Sequence, residues 1–177
     1  MSTHALAAPY RDSIFLAADF HRKQYLEKDQ PQRIPLNLIG SHPMNWRGMQ
    51  VCSRHVHEVA MDILGNKFRQ GVHVDVIKIP PALLQEIRDF HKSKAETDKF
   101  WPRSYEKIEY VCLTKNHLVH AMKLMEKEKC NLGNDEVAQD NIDNGMLCQV
   151  FNESLFQDQV AMDAISHSDN LCGLLTS

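Results

Sequence analysis

The sequence is short of several things, and each shortage excludes a class of protein. No apolar run approaches the roughly 18 residues that a membrane-spanning helix needs. The start, Met1-Ser-Thr-His-Ala-Leu-Ala-Ala-Pro, lacks the basic residues and long apolar stretch of a secretory leader, so a cytosolic or nuclear location and no membrane partner are expected. Seven glycines and seven prolines in 177 residues are too few for a fibrous or disordered chain. The five cysteines, Cys52, Cys112, Cys130, Cys148 and Cys172, include no C-x-x-C pair, which argues against a thiolate zinc site and against a disulfide framework.

Basic residues are missing from the last quarter of the chain. All 20 Lys and Arg fall within residues 1–130, against 15 Asp and Glu, whereas 131–177 carry eight acids and no Lys or Arg. A mildly basic body is thus followed by an acidic segment. Either both are solvated surfaces that attract weakly, or the segment covers an anion-binding face of the body.

What is present is a sequence of alternating patterns. Asp12 can cap a helix over 13–25, with Ile14, Ala17 and Ala18 at helical spacing. Ile34-Pro-Leu-Asn-Leu-Ile39 alternates like a strand, and Pro35 restricts it to an edge or a strand start. Ser53 can cap a helix over 54–64, with Val56, Val59, Ala60, Ile63 and Leu64 on one stripe. Val72 to Ile79 is β-branched and of strand length. Pro80-Pro81 ends it, and Pro81 opens a helix carrying Leu83, Leu84, Ile87 and Phe90.

Ile108–Leu113 reads as a further strand, and Thr114 as the cap of a helix with Leu118, Ala121, Met122 and Met125 inside. Beyond Gly133 the chain reads as loose through Asn134–Gly145, followed by a short strand over 146–151 and a helix begun by Asn152. The eight methionines fall mostly at helical core spacing and read as packing. The expected architecture is an α/β (α+β) fold, a small mixed sheet flanked by helices: an N-terminal helical extension over 1–33, a core over 34–130, and an acidic C-terminal segment over 131–177 packed on that core.

The junction Glu109-Tyr-Val-Cys-Leu-Thr-Lys-Asn-His117 is the leading candidate site. A strand passing directly into a helix aims backbone N–H groups and a positive dipole end at one spot, and Lys115, Asn116 and His117 add side-chain donors. That suits a phosphate or another anion. An ordinary Thr cap with exposed neighbours would show the same residues.

The order Ile34-Pro-Leu-Asn-Leu-Ile39, then His42-Pro-Met-Asn-Trp-Arg47, then a helix ending near Gly65, resembles the N-terminal domain of the ParB/sulfiredoxin superfamily. Tyr110–Leu124 resembles the unit in which that family's strand enters a helix through a phosphate-gripping Gly-x-x-Arg box. The resemblance covers roughly 33–126. It puts Thr114 at the Gly position and His117 at the Arg position, and implies phosphate contact at Thr114, Lys115, Asn116 and His117, with Asn45 and Arg47 facing them. Neutral His117 would attract phosphate less than Arg. The sulfiredoxin nucleophile, a Cys inside the box, is missing, because Cys112 lies in the strand. The resemblance thus implies a non-catalytic or weakly catalytic module for a nucleotide or other phosphate-bearing small molecule, with no cofactor beyond that nucleotide.

Two alternatives stand beside it, a metal-dependent enzyme and a ligand-free protein-interaction domain. His117 and His120 share a helix face, with His73 or Cys112 as a further ligand from a neighbouring strand. Nucleic acid is a weaker partner, since a net charge of about +5 over 130 residues is low for a dedicated binder.

Overall fold

The computed structural model describes residues 3–42, 56–60, 73–98, 101–127 and 136–176. Helix α1 (Thr3–Tyr25) leads into strand β1 (Gln32–Ile34), a 3-10 turn (Leu36–Leu38) and β2 (Ile39–Ser41). Strand β3 (Val74–Lys78) is followed by a 3-10 turn (Pro81–Leu83), α2 (Leu84–Thr97), β4 (Tyr110–Cys112) and α3 (Asn116–Lys127). The chain continues through α4 (Glu136–Asn144), β5 (Met146–Phe151), a 3-10 turn (Glu153–Gln157) and α5 (Gln159–Thr176). Residues 56–60 are helical, inside the stretch that Ser53 was expected to cap.

The five strands form one mixed sheet in the order β1-β5-β3-β4-β2. The β2/β4 and β3/β5 pairs are parallel, and β1/β5 and β3/β4 are antiparallel. This is the expected mixed α/β architecture, and it places the two strands flanking Pro35 at the two outer edges. Because only residues 35–38 join β1 to β2, the sheet curls until its edges come close; a flat sheet would hold them about 19 Å apart, at about 4.8 Å per strand.

The expected single strand over Ile34–Ile39 is therefore two. Pro35 has no N–H to give a ladder, and the 3-10 turn after it, closed by Leu38 N–H to Pro35 O at 3.0 Å, carries the chain from one edge to the other. The segment expected to be loose before Gly145 is helical. Gln139–Asp143 and Asn144–Asp140 side-chain hydrogen bonds brace α4, and Gly145 ends it at φ +95. A Cβ there would lie 2.7 Å from the Ile34 carbonyl, so only glycine fits. Helix α1 starts at Thr3, well before the Asp12 cap, through the helix-forming run Ala5-Leu-Ala-Ala8.

The sheet does not follow the boundaries 1–33, 34–130 and 131–177. Gln32 and Arg33 are in β1, and β5, from the acidic segment, lies between β1 and β3. Within that segment Asp140 pairs with Arg33 at 2.7 Å, both about half exposed, a contact worth at most about 1 kcal/mol.

Each face of the sheet packs its own core. Ile34, Leu36, Ile39, Val74, Val76, Met146, Cys148 and Val150 meet Val119, Ala121, Met122 and Met125 of α3 and Val56. On the other face, Ile77, Val111, Leu113 and Phe151 meet Ile87 of α2, Leu155, and Ala161, Met162 and Ile165 of α5. Each fully buried aliphatic or aromatic side chain contributes about 1.5–3 kcal/mol of transfer free energy.

Candidate functional site

β2 and β4 run parallel and end together. Ser41 stands opposite Cys112, and His42 N–H donates to Cys112 O at 3.3 Å. The junction from β4 into α3 opens at that shared end, the usual place for a ligand in an open α/β sheet.

Thr114 is buried, and its hydroxyl is committed to Asp75 rather than to the helix. Asp75 N–H donates to Thr114 Oγ1 and Thr114 Oγ1 donates to Asp75 Oδ2, each at 3.1 Å, while Leu113 N–H reaches Asp75 O at 2.8 Å. One β3 residue thus fixes how the chain leaves β4. Asp75 is in turn held by Arg22 Nη2 of α1 at 3.2 Å, and Arg22 also reaches Ser168 Oγ of α5 at 3.4 Å. Neither Arg22 nor Ser168 was flagged by the sequence pattern, and Asp75 stood out there only as one of several metal-capable groups. The only available signal was a carboxylate inside an otherwise apolar strand.

Lys115 occupies the cap position, with its carbonyl accepting Val119 N–H at 3.2 Å. It is the one non-glycine residue with positive φ among the described residues, at φ 57. A lysine side chain carries donors only, so it cannot cap the first-turn amides as Ser, Thr or Asp would. Asn116 offers no cap either, because its Oδ1 accepts the Cys112 thiol at 2.9 Å. The Thr114 hydroxyl and the Asn116 amide oxygen are thus engaged with β3 and β4 at the start of α3. The left-handed residue, where glycine is at ease, is one position later than the resemblance puts the box's Gly. Counted from Lys115, a four-residue box ends on Leu118 and not on His117.

Below this turn, α3 carries a buried polar stripe of Asn116, His120 and Lys123. His120 Nε2 lies 2.7 Å from Ser41 Oγ. Burial, reinforced by Lys123, His91 and His117, holds the His120 ring well below the ordinary histidine range. Burial also pulls Lys123 down to about 8, an effect partly offset by Cys112 and Glu126. The Cys112 thiol is pushed up to about 12 by burial, so it stays protonated and is no nucleophile near neutral pH.

On the outer side of β2, His91 of α2 accepts Ser41 N–H at Nε2, 2.9 Å, and its Nδ1 donates to Ile87 O at 2.8 Å. Trp101 packs edge-on to His120, with ring centres 4.7 Å apart, and lies 5.7 Å from His91.

The structure thus brings Thr114, Lys115, Asn116 and His117 together at one turn. Asn45 and Arg47 lie outside the described residues. His73 is exposed just before β3 and makes no ligand set with His117 and His120; among the described residues no three His, Cys, Asp or Glu side chains gather as a metal site would require. No described helix is long and apolar enough to cross a membrane. Comparison with family models, with curated proteins and with solved structures gives no match.

Proposed function

We propose that the chain is a binding module for a phosphate-bearing small molecule, a nucleotide in particular, held at the first turn of α3. The observation that carries this reading is the cap: a left-handed lysine precedes the helix, and the Thr114 and Asn116 side chains are bonded elsewhere. A helix N-terminus favours an anion through its amides and its dipole, and Lys115 and His117 stand beside it. The resemblance adds Asn45 and Arg47, outside the described residues, as further phosphate contacts. The Cys112 thiol, buried and held protonated, does not serve as a sulfiredoxin-type nucleophile, which fits a non-catalytic or weakly catalytic module.

The test is a titration with inorganic phosphate, ADP and ATP, followed by calorimetry and by amide shifts of residues 115–118. The parent protein should bind saturably, and the Lys115→Ala/His117→Ala variant should lose at least about tenfold in affinity, the scale of one or two charge-assisted hydrogen bonds. Absence of saturable binding to the parent would sink the proposal.

A further inference from the structure

We propose that His91 and His120 form an acid-released latch that holds α2 and the Trp101 segment against the outer edge of β2. The geometry leaves His91 no place for a second proton. Nδ1 donates to Ile87 O, and Nε2 must stay bare to accept Ser41 N–H, the amide that β2, as an edge strand, turns away from β4. Protonation of Nε2 sets one donor against another and breaks that bond. His120 grips the same residue from the opposite face through Ser41 Oγ, and Trp101 touches both rings. Ser41 is therefore clasped from two sides by imidazoles, with an indole across the gap.

The charged surroundings work in the same direction. Lys123 acts on His91, and Lys123, His91 and His117 act on His120; from β4 the neighbour is the protonated Cys112 thiol, and β2 contributes Ser41. Lys123 faces both rings, so each added proton enters a site that already holds a cation. Burial keeps His91 down at about 4, against about 6.5 for a solvated histidine. The closed state thus binds fewer protons than the released state between those limits. The latch is at full strength above about pH 6.5 and loses strength as pH falls toward 4.

The experiment uses the full chain with Trp46→Phe, so that Trp101 is the only indole. Between pH 7.5 and 4.5, Trp101 emission should shift to the red, and the Ser41 amide should exchange at least about tenfold faster after correction for intrinsic rates. Far-UV circular dichroism should hold constant over this range. The His91→Gln/His120→Gln variant, which keeps hydrogen-bonding groups but cannot titrate, should move the midpoint down by about one pH unit or more. Should that variant not fold, ring-proton titration of both histidines in the parent decides, since they must share the Trp101 midpoint. A flat emission profile, a change that coincides with loss of helical signal, separate ring midpoints, or an unmoved midpoint in the folded variant would each overturn the latch.

Discussion

The two faces of the sheet treat buried charge differently. On the face covered by α1, α2 and α5, the buried carboxylate of Asp75 is met by Arg22 and by Thr114, and the rest of the core is aliphatic and aromatic. On the face covered by α3, a buried lysine sits among Ser41, Cys112, Asn116 and His120, and no carboxylate forms an ion pair with it among the described residues. The first arrangement is what stability alone produces. The second is costly, which marks the α3 face as the one to search for function.

The sharpest way to break the contrast is to damage the apolar face. Phe151→Ala should lower stability by about 3–5 kcal/mol in urea unfolding, because it empties a fully buried site at the meeting of β5, the turn after it and α5. A loss below about 1 kcal/mol would show that this face is not the stabilising one.

On the other face the sign should reverse. Lys123, drawn down to about 8 from 10.5, carries a burial cost of about 3 kcal/mol while charged, so Lys123→Met should raise stability at pH 7 by about 1–3 kcal/mol. The folded parent binds fewer protons at this residue than the unfolded chain between pH 8 and 10.5, so its stability should rise with pH there, and the variant should lose that rise. The window from 8 to 9 is the cleanest, because the buried Cys112 and Cys148 thiols, both pushed up, act in the opposite direction above about 9. A destabilised Lys123→Met variant would refute the reading.

The smallest effect separates stability from binding at a single residue. Lys115→Gly should relieve the left-handed backbone and gain about 1 kcal/mol, while phosphate affinity falls. If both quantities fall, the lysine is there for packing.

Much of this architecture could be read from patterns, for local reasons. β3 is a β-branched run closed by two prolines, and α3 has apolar residues at helical spacing after an apolar strand, so periodicity alone marks both. The break at Pro35 was hidden because Ile34, Leu36 and Ile39 keep a strand-like alternation while the chain turns through a 3-10 helix. Helix α4 was hidden because polar i, i+4 pairs, not an apolar stripe, stabilise it. At the site, Thr114–His117 could be read because they are contiguous. Arg22, Ser41 and His91, and the role of Asp75 at the turn, could not, because these residues reach the junction from sequence positions tens of residues away. The strained backbone at Lys115 was equally hidden, since nothing in a lysine announces positive φ.

The interior position of β5 has a consequence for synthesis. During translation β1 leaves the ribosome more than a hundred residues before its partner: Gln32 pairs with Cys148 and Ile34 with Met146. Until 146–151 have emerged, β1 has no ladder and β3 is paired on one side only. The nascent chain thus carries unpaired strand edges until 146–151 have emerged, the condition in which chaperone holding matters most, and sheet closure waits on β5.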